Sequence, residues 1–298
     1  MNKTPPRLWG QAFPAPAKLN LFLHVVGRRP DGHHLLQTVF RLIDLYDTLR
    51  FSSRTDGGVR LASPVPGLPV DDDLCVRAAK ALKAATGYGG GVDIQLDKRI
   101  PMGGGLGGGS SDAATTLRVL NRLWGLDVSK ESLAGIGLAL GADVPLFLGE
   151  GNAFGEGVGE KLTPLDLPPA WYVVLSPPVQ VPTAAVFAAG ELTRNTKTTT
   201  ISSFSAGSGH YRSGFGHNDL EPVVCSRYPQ VAEHLAWLAK EAHEQANARM
   251  SGSGACVFAE FSAESQARSV VSRMPAGMRG FVARGLPRHP LGELLDDG

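Results

Sequence analysis

Between Pro101 and Asp112 the chain reads PMGGGLGGGSSD, six glycines around one leucine and then a serine pair. Residues of these types suit phosphate. Glycine admits positive φ and lets a ligand approach the main chain. A helix opening behind such a loop offers unpaired N–H groups and the positive end of a dipole to an anion. Pro101, Met102, Gly103, Gly104, Gly105, Leu106, Gly107, Gly108, Gly109, Ser110 and Ser111 are therefore expected to hold nucleotide phosphates. Other residues with chemical potential lie apart from the loop: Lys18 and Asn20, two residues apart, the adjacent His33 and His34, and Asp143 within GADVP. The histidine pair lacks a third ligand at a fixed offset and does not read as a metal site.

The elements that must position these residues follow from periodicity. Val92, Ile94 and Leu96 alternate with Asp93, Gln95 and Asp97, the pattern of a half-buried strand. Ala113, Leu117, Leu120 and Trp124 recur at helical spacing, with Ser110 or Ser111 as the expected N-cap. The unit is strand, glycine loop, helix. Gly103, Gly105 and Gly108 match G-x-G-x-x-G, yet a dinucleotide fold would continue to a strand ending in an acid. The next element is instead a second helix, capped by Ser129, with Leu133, Ile136 and Leu140 facing inward. No lysine completes a Walker loop, and no V-A-I-K strand comes after it as in protein kinases.

Residues 15–26 alternate as a strand, with Leu19, Leu21, Leu23 and Val25 on one face and Lys18, Asn20, Phe22 and His24 on the other. Residues 39–51 read as two strands meeting at Asp47, and 71–86 as a helix that Gly87 ends. The glycine-rich stretch 149–159 marks a passage between two domains, 1–158 and 159–298. The second domain is expected to hold a strand at 171–175, a short helix led by Thr183 and containing Phe187, and a helix over 229–246. A strand at 256–261, a helix at 267–274 and a strand at 280–284 complete it. Residues 194–216, rich in Ser, Thr and Gly, read as a mobile loop.

Residues 101–114 resemble the second motif of the GHMP kinases. The N-terminal PAKLNLFL and the DGHH at 31–34 resemble, within that superfamily, the diphosphocytidyl-methylerythritol kinases, an isoprenoid-pathway branch. LGADVPLFL at 140–148, residues 155–165 and residues 251–261 extend the resemblance over most of the chain. It implies an α+β, two-domain GHMP kinase fold with the active site in the cleft between the domains. It implies ATP as phosphoryl donor, Mg²⁺ with it, and a small-molecule substrate bearing a cytidine diphosphate moiety. Asp143 would take the proton of the substrate hydroxyl, and Lys18 would sit beside it and stabilise developing negative charge. Asn20, His33, His34, Thr183 and Phe187 would bind substrate, and residues 251–254 would close over it. His33 stands where the family usually has a tyrosine that stacks on cytosine. Imidazole keeps a flat face, so His33 is expected to stack with Phe187 as the opposite wall, while His34 and Asn20 hold the cytidine end. Ser110 or Ser111 is the first candidate for a metal ligand. The DGHH segment disfavours a homoserine or mevalonate kinase, and intact Lys18 and Asp143 disfavour a non-catalytic nucleotide sensor.

Composition narrows the partners. A chain of 298 residues can form two domains, and a net charge of +1 supplies no electrostatic reason for nucleic acid or anionic membrane as a partner. Asp143 and Pro145 interrupt the best apolar run, the first 18 residues lack the apolar core of a signal peptide, and Cys75, Cys225 and Cys256 read as reduced thiols. The expected location is cytoplasmic. Nothing in the sequence chooses between monomer and homodimer.

Overall fold

Apolar residues on both faces of the first 50 positions build two long antiparallel strands, β1 (Phe13–Arg28) and β2 (His34–Arg54). The computed structural model describes residues 8–64, 67–204, 213–242 and 247–296. After β2 come β3 (Val59–Leu61), α1 (Leu74–Thr86), β4 (Gly91–Asp97), α2 (Gly108–Leu123), α3 (Lys130–Leu140) and α4 (Val144–Leu148). Next are β5 (Ala153–Glu156), β6 (Lys161–Pro164), β7 (Trp171–Leu175), α5 (Thr183–Phe187), α6 (Ile201–Phe204), α7 (Glu221–Arg227) and α8 (Pro229–Ala242). The chain ends with β8 (Arg249–Met250), β9 (Val257–Phe261), α9 (Glu264–Ser272), β10 (Gly280–Arg284) and α10 (Leu291–Asp296).

Two sheets result, and the class is α+β. The first runs β3–β4–β2–β5–β6 with β1 also paired to β2, and the second runs β10–β7–β9–β8. Leu49, Phe51 and Ile94 pack with Leu117 of α2 and Phe147 of α4 in one core. Val173 and Val257 pack with Val186, Val224 and Leu238 from α5, α7 and α8 in another. A third core joins the sheets, with Leu19, Ile43 and Leu106 meeting Val174 and Phe258. The two lobes therefore share buried surface, and the cleft lies along their seam.

Local chemistry accounts for the element ends that frame the cleft. Asp73 caps α1, accepting from the N–H groups of Cys75 (2.8 Å) and Val76 (3.4 Å), and Gly87 ends it in the left-handed conformation at φ +69°. Ser129 caps α3 and accepts from Ser132 N–H at 3.2 Å. The expected N-cap of α2 is displaced. The helix begins at Gly108, with Gly107 at φ +72° as its N-cap, and Ser110 and Ser111 lie inside its first turn. A left-handed residue just before a helix stops the helix from extending backward, and glycine takes that conformation at no steric cost.

Other expectations meet the following geometry. Residues 39–51 form part of one strand: Asp47, where two strands were expected to meet, pairs with Ala15, and only Asp44 and Leu45 bulge out of the β1 pairing. The buried Asp47 accepts instead from the N–H groups of Arg99 (2.5 Å) and Ile100 (2.8 Å). The alternation of β1 is broken too: Leu21 and Phe22 together oppose Val39, and both faces of the strand are buried. Within 194–216 the described residues are tied down, since Gln37 exchanges hydrogen bonds with Thr199 N–H (2.8 Å) and Thr199 O (3.0 Å). Residues 205–212 of that stretch, and 243–246 of the expected helix, lie outside the described residues. A division after residue 158 passes through the turn of the β5–β6 hairpin, and β6 pairs onto the first sheet. Beyond β10 the chain also returns to the first lobe, where Leu286 and Leu291 join its core.

Candidate active site

The glycine loop is seated on a second glycine loop. Gly103 O and Gly104 O accept from the N–H groups of Ala255 (3.2 Å) and Cys256 (3.1 Å). A Cβ on Gly105 would stand 2.2 Å from Ser251 O, and one on Gly104 would stand 2.7 Å from Cys256 Sγ. Glycine is required at Gly105 because backbone meets backbone across the seam, and at Gly104 because the Cys256 sulfur occupies the space. On the other side, Lys18 N–H donates to Leu106 O at 2.9 Å, and a Cβ on Gly107 would press on Phe147 at 2.9 Å and on Lys18 Cε at 3.1 Å. The loop is thus wedged between β1 and residues 251–256.

That wedge faces a cleft of about 610 Å³. Every residue from Pro101 to Ser110 lines it, together with Lys18, Asn20, Asp143, Thr183 and Phe187. Ser111 does not, being fully buried with its hydroxyl unpartnered. Lys18 Nζ lies 3.4 Å from Asp143 Oδ2, the lysine side chain 4% exposed and the aspartate 33%. Asp143 is the N-cap of α4, yet its side chain caps no backbone N–H, so the carboxylate is left open to the cleft. Lys18 also donates to Asn20 Oδ1 at 2.5 Å and stands 5.7 Å from the centre of the Phe40 ring.

Asn20 thus sits in the lysine–aspartate centre rather than at the end where His34 lies. Thr183 borders the second glycine loop, its hydroxyl 2.7 Å from that of Ser253. His34 stacks on Phe187 with ring centroids 5.1 Å apart and planes 27° apart. Arg194 braces the stack: its Nε donates to His34 Nε2 at 3.1 Å and its Nη2 donates to Phe187 O at 3.2 Å. Burial first, then Arg194, Arg28 and His33, hold His34 below its ordinary 6.5. His33 is not brought against Phe187. Its side chain is 69% exposed and paired with Asp31, Nδ1 to Oδ1 at 3.3 Å. Neither histidine lines the cleft itself.

One charged cluster beside the glycine loop was not read from the sequence. Lys98 Nζ bonds Asp47 and, at 2.7 Å, Asp112 Oδ2, with both carboxylates nearly inaccessible. Burial pushes the Asp112 carboxyl up to about 8 against the pull of Lys98, and Asp47 on the same lysine adds to the rise. The cluster ties β2, the entry to the loop and α2 together. Its sequence signal was the lysine two residues before Ile100, with an acid at the fifth position of the helix. Arg194 and Thr38 carried no signal of their own. The thiols of Cys225 and Cys256 are pushed up by burial to about 11 and about 12, so neither is a ready nucleophile. Among the described residues no group of three His, Cys, Asp or Glu could hold a metal ion, and no helix is long and apolar enough to cross a membrane.

The family model described as GHMP kinases N terminal domain matches residues 73–151, and that described as GHMP kinases C terminal matches 207–280. A protein of Nitrosospira multiformis named 4-diphosphocytidyl-2-C-methyl-D-erythritol kinase is 59% identical over 283 residues, 95% of this chain and 94% of that one. A protein of the same name from Thiobacillus denitrificans is 59% identical over 287 residues, covering 96% and 99%. A crystal structure of 4-(cytidine 5'-diphospho)-2C-methyl-D-erythritol kinase superposes with TM-score 0.78 at 34% identity, covering 92% of this chain and 99% of that chain. A homoserine kinase from Cytophaga hutchinsonii, at 16% identity and TM-score 0.70, covers 97% and 98% and shares the fold.

Proposed function

This chain belongs to the GHMP kinases and, within them, to the 4-diphosphocytidyl-2-C-methyl-D-erythritol kinases, and from that premise we propose how its residues perform the reaction. The chain phosphorylates a hydroxyl of 4-diphosphocytidyl-2-C-methyl-D-erythritol with ATP, in non-mevalonate isoprenoid precursor biosynthesis. The observation that carries the mechanism is the Lys18 Nζ–Asp143 Oδ2 distance of 3.4 Å at the glycine loop.

Phosphoryl transfer asks a protein for positioning and charge neutralisation more than for covalent chemistry. The open N–H groups at the start of α2 and the positive end of its dipole bind the triphosphate. Asp143 accepts the proton of the substrate hydroxyl as its oxygen attacks the γ-phosphorus and the bond to ADP breaks. Lys18 keeps the carboxylate oriented and offers positive charge to the transferring oxygens. Mg²⁺ supplies charge neutralisation between the phosphates when bound. Ser110, which lines the cleft on the first turn of α2, fits as its protein ligand, whereas the buried Ser111 does not.

At the other end, His34 and Phe187 hold the cytosine, with Arg194 behind the histidine. Thr183 steadies the closing loop through Ser253. His33, exposed and paired with Asp31, would cover the base from outside. The test is ADP release from ATP across a panel of acceptor alcohols. Turnover confined to the cytidylated acceptor supports the reading, and equal turnover of homoserine or mevalonate defeats it.

A further inference from the structure

We propose that Thr38 is a positioning residue for phosphoryl transfer: its hydroxyl sets which way the Asn20 amide faces and, through that amide, holds the Lys18 ammonium toward Asp143. The inference rests on the reading of Lys18 and Asp143 given above. It begins at the β1 bulge. Asn20 pairs with Phe40 and Leu23 with Thr38, so Leu21 and Phe22 share a single partner and their carbonyls leave the ladder. Arg249 Nη1 donates to Leu21 O, and Thr38 Oγ1 donates to Phe22 O at 2.5 Å.

A threonine hydroxyl has one proton. With that proton given to Phe22 O, Oγ1 can only accept on its other side, and it accepts from Asn20 Nδ2 at 2.9 Å. The amide must then present Oδ1 in the opposite direction, where Lys18 Nζ donates to it at 2.5 Å. An ammonium has donors only, so this amide orientation alone satisfies both neighbours. One Lys18 proton is thereby committed to Asn20, while the same nitrogen lies 3.4 Å from Asp143 Oδ2. Asn20 N–H is itself bonded to Ser251 Oγ at 3.1 Å, which leaves rotation of the side-chain amide as the remaining freedom. Thr38 is 1% exposed and Asn20 and Lys18 are 3% exposed, so all three border the cleft with little of their surface open to it.

Thr38→Val keeps the shape and removes the acceptor, so Asn20 Nδ2 loses its buried partner and only the lysine still fixes the amide. Its kcat should fall about tenfold to a hundredfold, the effect of a buried donor left unpaired, with KM for ATP unchanged. Thr38→Ser keeps the hydroxyl and should retain nearly full kcat. In an Asn20→Ala background, Thr38→Val should cost nothing further, because the residue through which it acts is gone. Three results would overturn the proposal: a valine variant as fast as wild type, a serine variant as slow as the valine variant, or a valine effect that persists without Asn20. A packing role predicts the reverse order, since serine drops the methyl that valine keeps. Should the valine variant fail to fold, Thr38→Cys carries the same comparison, because a thiol is a weak donor and acceptor, and a cysteine variant matching serine would count against the proposal. Lys18→Ala in the same assay separates the two ideas. If it keeps full kcat, the mechanism itself is wrong; if it loses kcat while Thr38→Val does not, only the role of Thr38 is.

Discussion

Ser251 and Asn20, 231 positions apart in the chain, are joined by one hydroxyl: Ser251 Oγ accepts the Asn20 N–H at 3.1 Å and donates to Gly105 O at 3.2 Å. A single buried group thus couples the lysine-bearing strand, the glycine loop and the loop after β8. Movement of any one of them disturbs the other two.

Gly105→Ala should therefore act as a seam mutation. Its Cβ would fall 2.2 Å from Ser251 O at a φ of +73°, so both contact and conformation are unfavourable. A loss of about 2 kcal/mol or more is expected from the strained backbone plus the clash, with a raised KM for ATP. Gly103→Ala, at φ +67° but only 3.5 Å from the flexible Gln180 side chain, should lose roughly 1 kcal/mol from conformation alone. Urea titrations of the two variants compare them, and equal midpoints would separate the glycine requirement from the seam.

Asp143→Asn should keep the fold, because that carboxylate caps no helix N–H and is one-third exposed. Binding of a non-hydrolysable ATP analogue, followed by thermal shift, should be preserved. Loss of a general base typically slows turnover by on the order of 10²–10⁴, and single-turnover ADP formation measures it. A rate within a few-fold of wild type would remove Asp143 from the proton transfer.

At the cytidine end, His34→Ala should raise KM for the cytidylated substrate by roughly five- to hundredfold, the worth of a stacked base, and leave KM for ATP unchanged. His33→Ala should have the smaller effect, since His33 is exposed and paired with Asp31. The folded His34 titrates below its ordinary 6.5, through burial first and then Arg194. It is therefore neutral at pH 7, with Nε2 free to accept from Arg194. Protonation would place a hydrogen on Nε2 and break that contact, so KM should rise only on the acid side of about 6.5. Arg194→Ala removes a repelling cation and should move the rise to higher pH. A KM independent of pH in both proteins would exclude His34 from the base site.

Asp112 makes a stability prediction with a defined sign. Burial raises its carboxyl from 3.8 to about 8 in the folded chain, so the folded state holds the proton more tightly than the unfolded one. Such a group costs stability as pH climbs from about 4 to about 8 and no more above that. Asp112→Asn mimics the protonated form and escapes the cost. The variant should gain on wild type progressively over this interval in urea unfolding, then run parallel to it. A gap that ignores pH would mean the carboxylate stays ionised beside Lys98.

What the sequence by itself determined is local. Periodicity placed the strand before the glycine loop and the helix after it, and the strands at 171–175 and 280–284, whose bounds are those of β7 and β10. Turn and cap chemistry placed Gly87, Ser129 and the composition of the phosphate loop. These features depend on residues within a turn or two of one another. Tertiary structure decided which distant residues meet. Alternation alone put Asn20 beside Lys18, but one extra residue at Leu21–Phe22 overrode it beyond that point and placed Asn20 against Thr38. Docking of the second sheet on the first brought Ser251 to Gly105, and the bend of the chain at 29–33 set His34, not His33, against Phe187. A strand pairing or a lobe seam is an agreement between segments a hundred or more residues apart. A bulge of one residue changes every partner beyond it, and no local pattern carries that information.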